Sequence, residues 1–416
     1  MAQIAPIEDL ADSTFDPILA DEVTYGTVMD PYPMVAKLRA EATVQPGDFR
    51  ALMGQSPSRD YPNVPHYMVL SYSGIEYALN HPELFSNRSM EPSLGASFGH
   101  TLSVMDPPEH TGYRKILQQA FRPNVVQSWG EGIVAPVIED LVRVFRRTGH
   151  ADLVSQFARP YPFNVIFRML DLPPGDIDTF YKLTVTQILT QVYADEALEA
   201  SEKLGRYFTA LIEERRASPG DDLVSLLALT EVDGAHLPDN VVVSFLRQLI
   251  NAGGDTTYRT TTVLLTGLLT HPEQLEAVRN DRALVGQAIE EALRFDGPVL
   301  SSSREAVVDL EVDGVVIPAG SYVNVLYGAA NHDPAVFERP DEFDIFRLKH
   351  RHFGFAFGAH NCLGQQLARL EMSRALNAVL DELPAVRLDP SAPEPQLRGY
   401  MMRTPAALPV IFEPAG

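Results

Sequence analysis

The sequence predicts a mainly α-helical protein with a minor β region. Two observations carry this: most apolar residues of the 416-residue chain recur at helical spacing, and strand patterns are confined to two stretches. Ala135 to Arg147, APVIEDLVRVFRR, keeps the helical period. So does the run from Val241 to Leu269, interrupted by Gly253-Gly254 and long enough to cross the whole molecule. The strand patterns are HYMVLSY after Pro65 and VVDLEVDGVVIPAGSYVNVLY, where alternating apolar residues flank Asp313-Gly314, a pair suited to a tight hairpin turn. Connectors such as RRASPGDDL and VDGAHLPDN are polar, and neither a Gly/Ser linker nor a fixed-period repeat cuts the chain. One domain over 1–416 is expected, with an extended or irregular lead-in over 1–30.

Composition excludes several function classes. With 45% hydrophobic residues the chain can bury a large core, and its formal charge of −22 disfavours nucleic acid as the main partner. The N-terminus, MAQIAPIEDLADSTF, has neither a basic region nor an apolar stretch, and VLLTGLLT is too short to span a bilayer. A cytoplasmic protein with no membrane segment is expected, and a monomer. One cysteine, Cys362, excludes an internal disulfide and an iron–sulfur cluster.

Cys362 lies in FGFAFGAHNCLGQQLARLE, Phe353 to Glu371. Free cysteines are commonly buried small hydrophobes. Here, however, Leu363, Leu367, Leu370 and Leu376 fall on one helical face, so the sulfur sits at or just before a helix N-terminus, whose free N–H groups stabilise a thiolate. A thiolate attacks or coordinates. His360 is two residues away, a spacing at which side chains rarely face each other, and zinc needs more ligands than one cysteine and a neighbour. Haem iron needs one protein thiolate, the macrocycle supplying the rest. Gly358 and Gly364, lacking Cβ, would let backbone approach a flat ring closely.

These residues carry a resemblance. Phe355, Gly358, His360, Cys362 and Gly364 are similar to the ten-residue haem-ligand loop of the cytochrome P450 family, Phe-x-x-Gly-x-(Arg/His)-x-Cys-x-Gly. Three further segments resemble family motifs in the family's order. NAGGDTT, with Ala252, Asp255 and Thr256, resembles the central-helix motif in which the helix opens over the haem and an acid and an alcohol relay protons. Glu291 and Arg294 in EEALRFDGPV, with Arg347 downstream, match a buried ion-pair network on the haem side. His110 and Arg114 in MDPPEHTGYRKI lie one turn apart and match residues that grip the haem propionates, joined by Arg304 and His360.

The resemblance implies the P450 fold, with haem between a long central helix and the cysteine loop. It implies haem b with Cys362 as axial ligand, and a monooxygenase that hydroxylates or epoxidises a hydrophobic substrate using O2 and electrons from a ferredoxin and its reductase. A basic turn, FRLKHRHF at Phe346 to Phe353, with Lys115 and Arg122, would dock the acidic ferredoxin. Phe98, Gln248, Asn251, Leu300, Ser302, Tyr400 and Met401 match the family's variable pocket segments, and a terpenoid, steroid or aromatic hydrocarbon would fit such a lining. A peroxygenase of the same fold and a non-catalytic haem sensor are the alternatives; the intact Asp255-Thr256 pair speaks for the oxygenase. Two positions depart from the pattern, His332 in place of arginine and Gly112 in place of a bulkier residue.

Overall fold

The computed structural model describes residues 4–58, 60–232 and 235–415. Helices dominate, as the periodicity predicts. Ala135–Phe145 buries Val137, Ile138, Val142 and Phe145 along one stripe. The long run forms one central helix, Asp239–Thr270, of 32 residues, roughly 48 Å at 1.5 Å per residue.

The expected opening of this helix at Gly253-Gly254 is absent from its backbone, which is helical throughout. Thr256, Thr260, Thr261 and Thr262 turn their hydroxyls back to the carbonyl four residues earlier, at 2.8–2.9 Å. The glycines serve packing instead. A Cβ on Gly253 would stand 2.7 Å from Ile166 Cδ1, and one on Gly254 would stand 2.5 Å from the Phe163 ring. Only glycine lets the helix Pro160–Met169 approach this closely.

The predicted stretches supply two strands of a five-stranded sheet and a hairpin, and the other three strands of that sheet lie outside them. Five strands lie in the order Val44–Pro46, His66–Val69, Tyr322–Val325, Ser302–Ala306, Phe85–Ser86. The pair His66–Val69 and Tyr322–Val325 is parallel and the others antiparallel. The hairpin Leu310–Val312 and Val315–Ile317 turns at Asp313 (φ 49°) and Gly314 (φ 80°), the two left-handed residues that a two-residue hairpin turn requires.

The lead-in is not irregular throughout, because Pro17–Tyr25 is a helix. Asp16 caps it, accepting from the N–H groups of Ile18 (2.9 Å) and Leu19 (3.2 Å), Pro17 opens it and Gly26 at φ 72° ends it. Nine residues are too few to display a period, so its signal lay in the caps.

Two apolar cores result. One gathers the helices around Phe157, Phe163, Phe167, Phe180, Phe208 and Leu264, and the other packs Phe49, Ile75, Phe85 and Phe353 against the sheet residues Val69 and Val323. Glu291 and Arg294 on the helix Val285–Phe295 tie the segments between them. Arg294 reaches both oxygens of Glu291 at 2.7 and 2.8 Å and donates to the carbonyls of Asn331, Pro340 and Glu342. Arg347 adds a 3.3 Å contact to Glu291, and the Asp344 N–H a 3.0 Å bond. Taking one partner from such a buried pair costs about 3–5 kcal/mol. No helix among the described residues is long and apolar enough to cross a membrane.

Candidate active site

A cavity of about 330 Å³ opens between the two cores, walled by the central helix, the cysteine segment and the strand Ser302–Ala306. Cys362 lies in its floor, three residues before the helix Gln365–Glu382. Its loop is fixed by backbone bonds: Cys362 N–H to Phe355 carbonyl at 2.9 Å, Asn361 N–H to Gly358 carbonyl at 3.2 Å, and Phe353 N–H to Asn331 Oδ1 at 2.8 Å. Burial pushes the Cys362 thiol up, while the N–H of Gly364, the charges of Arg114 and Arg369 and the N–H of Gln365 pull it down. The donors at the helix start thus aim at sulfur and stabilise its anionic form.

Gly358 and Gly364 separate in role. Gly358 does not line the cavity; at φ 71°, a Cβ there would lie 2.1 Å from the Leu79 carbonyl oxygen, so the expected haem clearance is a clearance for backbone. Gly364 does line the cavity, and a Cβ there would meet no described protein atom within 4 Å. Phe355 is part of the wall too, with the Arg369 guanidinium 4.4 Å from its ring centroid.

At one edge four cation-capable groups converge, His110, Arg114, Arg304 and His360, all in the cavity wall. The two imidazoles meet tilted by 40°, with 4.0 Å between centroids. Both ring nitrogens of His110 and the Nε2 of His360 find no hydrogen-bond partner among the described residues. Burial, then the Arg114 charge, holds His110 down at about 4. Burial, then His110, Arg304 and Arg114, holds His360 down at about 2. Arg114 donates to Asn361 Oδ1 (2.6 Å), and Arg304 to Ser302 Oγ (2.9 Å) and the Ser303 carbonyl (2.7 Å). Buried donors facing no carboxylate fit a ligand that brings its own anions. With one half-buried thiol beyond them and an open glycine beside it, the residues fit a haem and its two propionates.

The opposite wall is the central helix, where Ala252 and Thr256 face the cavity. Asp255 does not. It lies buried on another face of the helix, where Arg259 Nε reaches both its oxygens at 3.1 Å. The expected relay pair is therefore split between two faces.

Of the seven expected pocket residues, Gln248 and Ser302 line the cavity. Gln248 donates to Ser103 Oγ, and Ser302 Oγ lies 2.6 Å from the Tyr327 hydroxyl. Five lie outside the wall. Asn251 is buried with its amide on the Thr184 carbonyl (3.2 Å), and Leu300 packs against Gly328. Tyr400 holds Arg50 by its hydroxyl, Met401 packs on the sheet-side core, and Phe98 is buried away from the cavity. Helix faces carry Phe98 and Asn251 away from the cavity, and irregular backbone does the same for Leu300, Tyr400 and Met401. The walls also hold Met90 and Val299, and Leu102, Ile166, Phe245, Leu249, Ser103, Tyr327 and the buried Glu371, seven residues that sequence reasoning passed over.

In the basic turn, Lys349 and Leu348 are exposed, Leu348 by 91%. Arg351 is less free than expected: it bonds Glu76 at 2.7 Å and lies over the Phe357 ring at 4.2 Å. His332, the departure from arginine, is buried between Asp341 (2.8 Å) and the Phe295 carbonyl (2.7 Å) and stacks on Tyr32 at 3.6 Å, so it fills a structural post.

Residues 176–408 match the family model described as Cytochrome P450. Cytochrome P450-terp of a Pseudomonas species is 34% identical over 381 residues, 84% of this chain and 89% of that protein. Vitamin D3 dihydroxylase of Streptomyces griseolus is 34% identical over 336 residues, 77% and 81%. Among solved structures, CYP108D1 from Novosphingobium aromaticivorans superimposes with a TM-score of 0.81 at 29% identity, covering 96% of this chain and 99% of that one. CYP109E1 from Bacillus megaterium in complex with testosterone does so with a TM-score of 0.80 at 27% identity, covering 92% and 99%.

Proposed function

Because the chain belongs to the cytochrome P450 family and is a haem-thiolate monooxygenase, we propose that it acts as one domain on a hydrophobic terpenoid or steroid, with electrons delivered by a ferredoxin. The observation that carries this reading is the cavity over Cys362, whose wall beyond the haem-fitting residues joins the apolar side chains Met90, Leu102, Ile166, Phe245, Leu249 and Val299 to a few polar ones, among them the hydrogen-bonded pairs Gln248 with Ser103 and Ser302 with Tyr327. A rigid hydrocarbon body with one or two oxygens suits such a wall, the pairs fixing orientation and the apolar residues excluding water. The relatives' names point the same way: one acts on vitamin D3, and another was solved with testosterone.

Haem b, when bound, supplies O2 activation and oxygen insertion into C–H or C=C bonds. The protein's part is to hold and to protonate. Cys362 would hold the haem iron through its sulfur, with the N–H groups of Gly364 and Gln365 stabilising its thiolate. His110, Arg114, Arg304 and His360 would hold the propionates. Thr256, whose hydroxyl sits 2.8 Å from the Ala252 carbonyl at the cavity wall, would hold the last proton before the reacting centre, supplied by Asp255.

A panel of steroids and terpenoids, read by the high-spin Soret shift and then by product formation with a ferredoxin system, tests the substrate class. Charged compounds shifting the band while all neutral ones fail would overturn it. Thr256→Ala is expected to keep reductant consumption while product falls and peroxide rises; an unchanged product yield would refute the relay.

A further inference from the structure

Neighbouring helix residues point about 100° apart, so Thr256 faces the haem-side cavity while Asp255 faces a second pocket of about 60 Å³. This volume suits about two waters. Its wall includes Asp21 and Tyr25 of the N-terminal helix, Arg159, Tyr181, Tyr258 and Arg259. Arg259 is the fixed point. Its guanidinium is 2% exposed, lies 5.4 Å from the Tyr25 ring and 5.0 Å from the Tyr258 ring, and donates Nη1 to the Met402 carbonyl at 2.9 Å. Nε reaches both oxygens of Asp255 at 3.1 Å, and Nη2 reaches both oxygens of Asp21 at 2.9 and 2.8 Å. One buried cation is thus shared by two carboxylates, and only one of them neighbours Thr256. A buried guanidinium cannot be left without an anion, so Asp255 can leave Arg259 only if another carboxylate stays.

We propose that Asp21 is a positioning residue for proton delivery: by keeping Arg259 paired, it frees Asp255 to turn from the small pocket toward Thr256. This rests on the reading of Asp255 and Thr256 as the relay. The Asp255 carboxylate takes one proton passed in from solvent hydronium through the small pocket, leaving water behind, and turns as a neutral acid. It then gives that proton to the Thr256 hydroxyl oxygen as the hydroxyl's own proton moves on into the cavity, and returns as a carboxylate to Arg259. Burial raises the Asp255 carboxyl above its ordinary value against the pull of Arg259.

Asp21→Asn removes the second anion at nearly constant shape, leaving Arg259 to hold Asp255 alone. In the holoenzyme with a ferredoxin system, product per NADH is expected to fall about fivefold, with a larger solvent deuterium isotope effect on turnover. In an Asp255→Asn background the same substitution should change neither. Without turnover, the infrared carboxylic acid band assigned by its loss in Asp255→Asn should be weaker in Asp21→Asn at the same pH. Arg259→Lys, which keeps the charge but cannot bridge both carboxylates, should raise the isotope effect as well, and it carries the test if Asp21→Asn lowers the melting temperature. The proposal is overturned by full coupling in Asp21→Asn, by an equal loss in both backgrounds, or by an unchanged isotope effect in Arg259→Lys. Unchanged coupling in Asp255→Asn itself would instead bring down the relay reading on which it stands.

Discussion

Glu371 lies on the cysteine helix nine residues beyond Cys362, in the cavity wall, with one carboxylate oxygen that meets no partner among the described residues. Burial pushes its carboxyl well above the ordinary value of 4.5. The folded protein therefore keeps a proton that the unfolded chain has released, and stability falls as pH rises from the unfolded value to the folded one. Glu371→Gln, neutral at every pH, should flatten that decline. Its melting temperature relative to the parent is expected to climb over the range from about pH 5 upward. A calorimetric difference that stays constant across this range would contradict the neutral buried acid. Cys362 was legible because its motif is short and local. Glu371 was not, because its isolation is set by the central helix, more than a hundred residues earlier in the chain.

At the scale of elements, the central helix was legible in length and position, and its role at Gly253-Gly254 was not. The sequence offers two glycines in a helix and two explanations, a loosened backbone or a close neighbour; only the position of Phe163 and Ile166 decides for the neighbour. Gly254→Ala would bring a methyl group within 2.5 Å of Phe163 and should destabilise the fold by about 1–3 kcal/mol. Gly112→Ala, in a helix where a Cβ meets nothing within 4 Å, should be neutral or stabilising by about 0.5–1 kcal/mol. Denaturant melts of the two variants check this pair, and equal effects would refute the packing explanation. The same reasoning accounts for the misplaced pocket residues. A period gives a face only where it is long, and 399–403 is a turn whose side chains are directed by Arg50, by the bridge Arg398 to Thr404 and by Asp296 on Arg403.

For the molecule as a whole, a charge of −22 surrounds a local basic turn near the cysteine loop. Exposed Lys349 and Leu348 give that turn a charge and an apolar contact, the pairing that steers and then holds an acidic protein. Lys349→Glu should slow ferredoxin-supported turnover by about tenfold at low ionic strength and flatten its salt dependence. Arg351→Glu is the less clean variant because it also breaks the contact with Glu76. Stopped-flow reduction over a salt series reads both, and an unchanged slope in Lys349→Glu would exclude this face as the docking site.

The roles proposed for the cavity, for His110, Arg114, Arg304 and His360 and for Asp255 with Thr256 all depend on one bond, from the Cys362 thiolate to haem iron. The carbon-monoxide spectrum of the reduced holoprotein reports that bond directly. The account predicts the strongly red-shifted Soret band of thiolate ligation, lost in Cys362→Ser. A band at the position given by imidazole ligation, or one that survives the substitution, would contradict it.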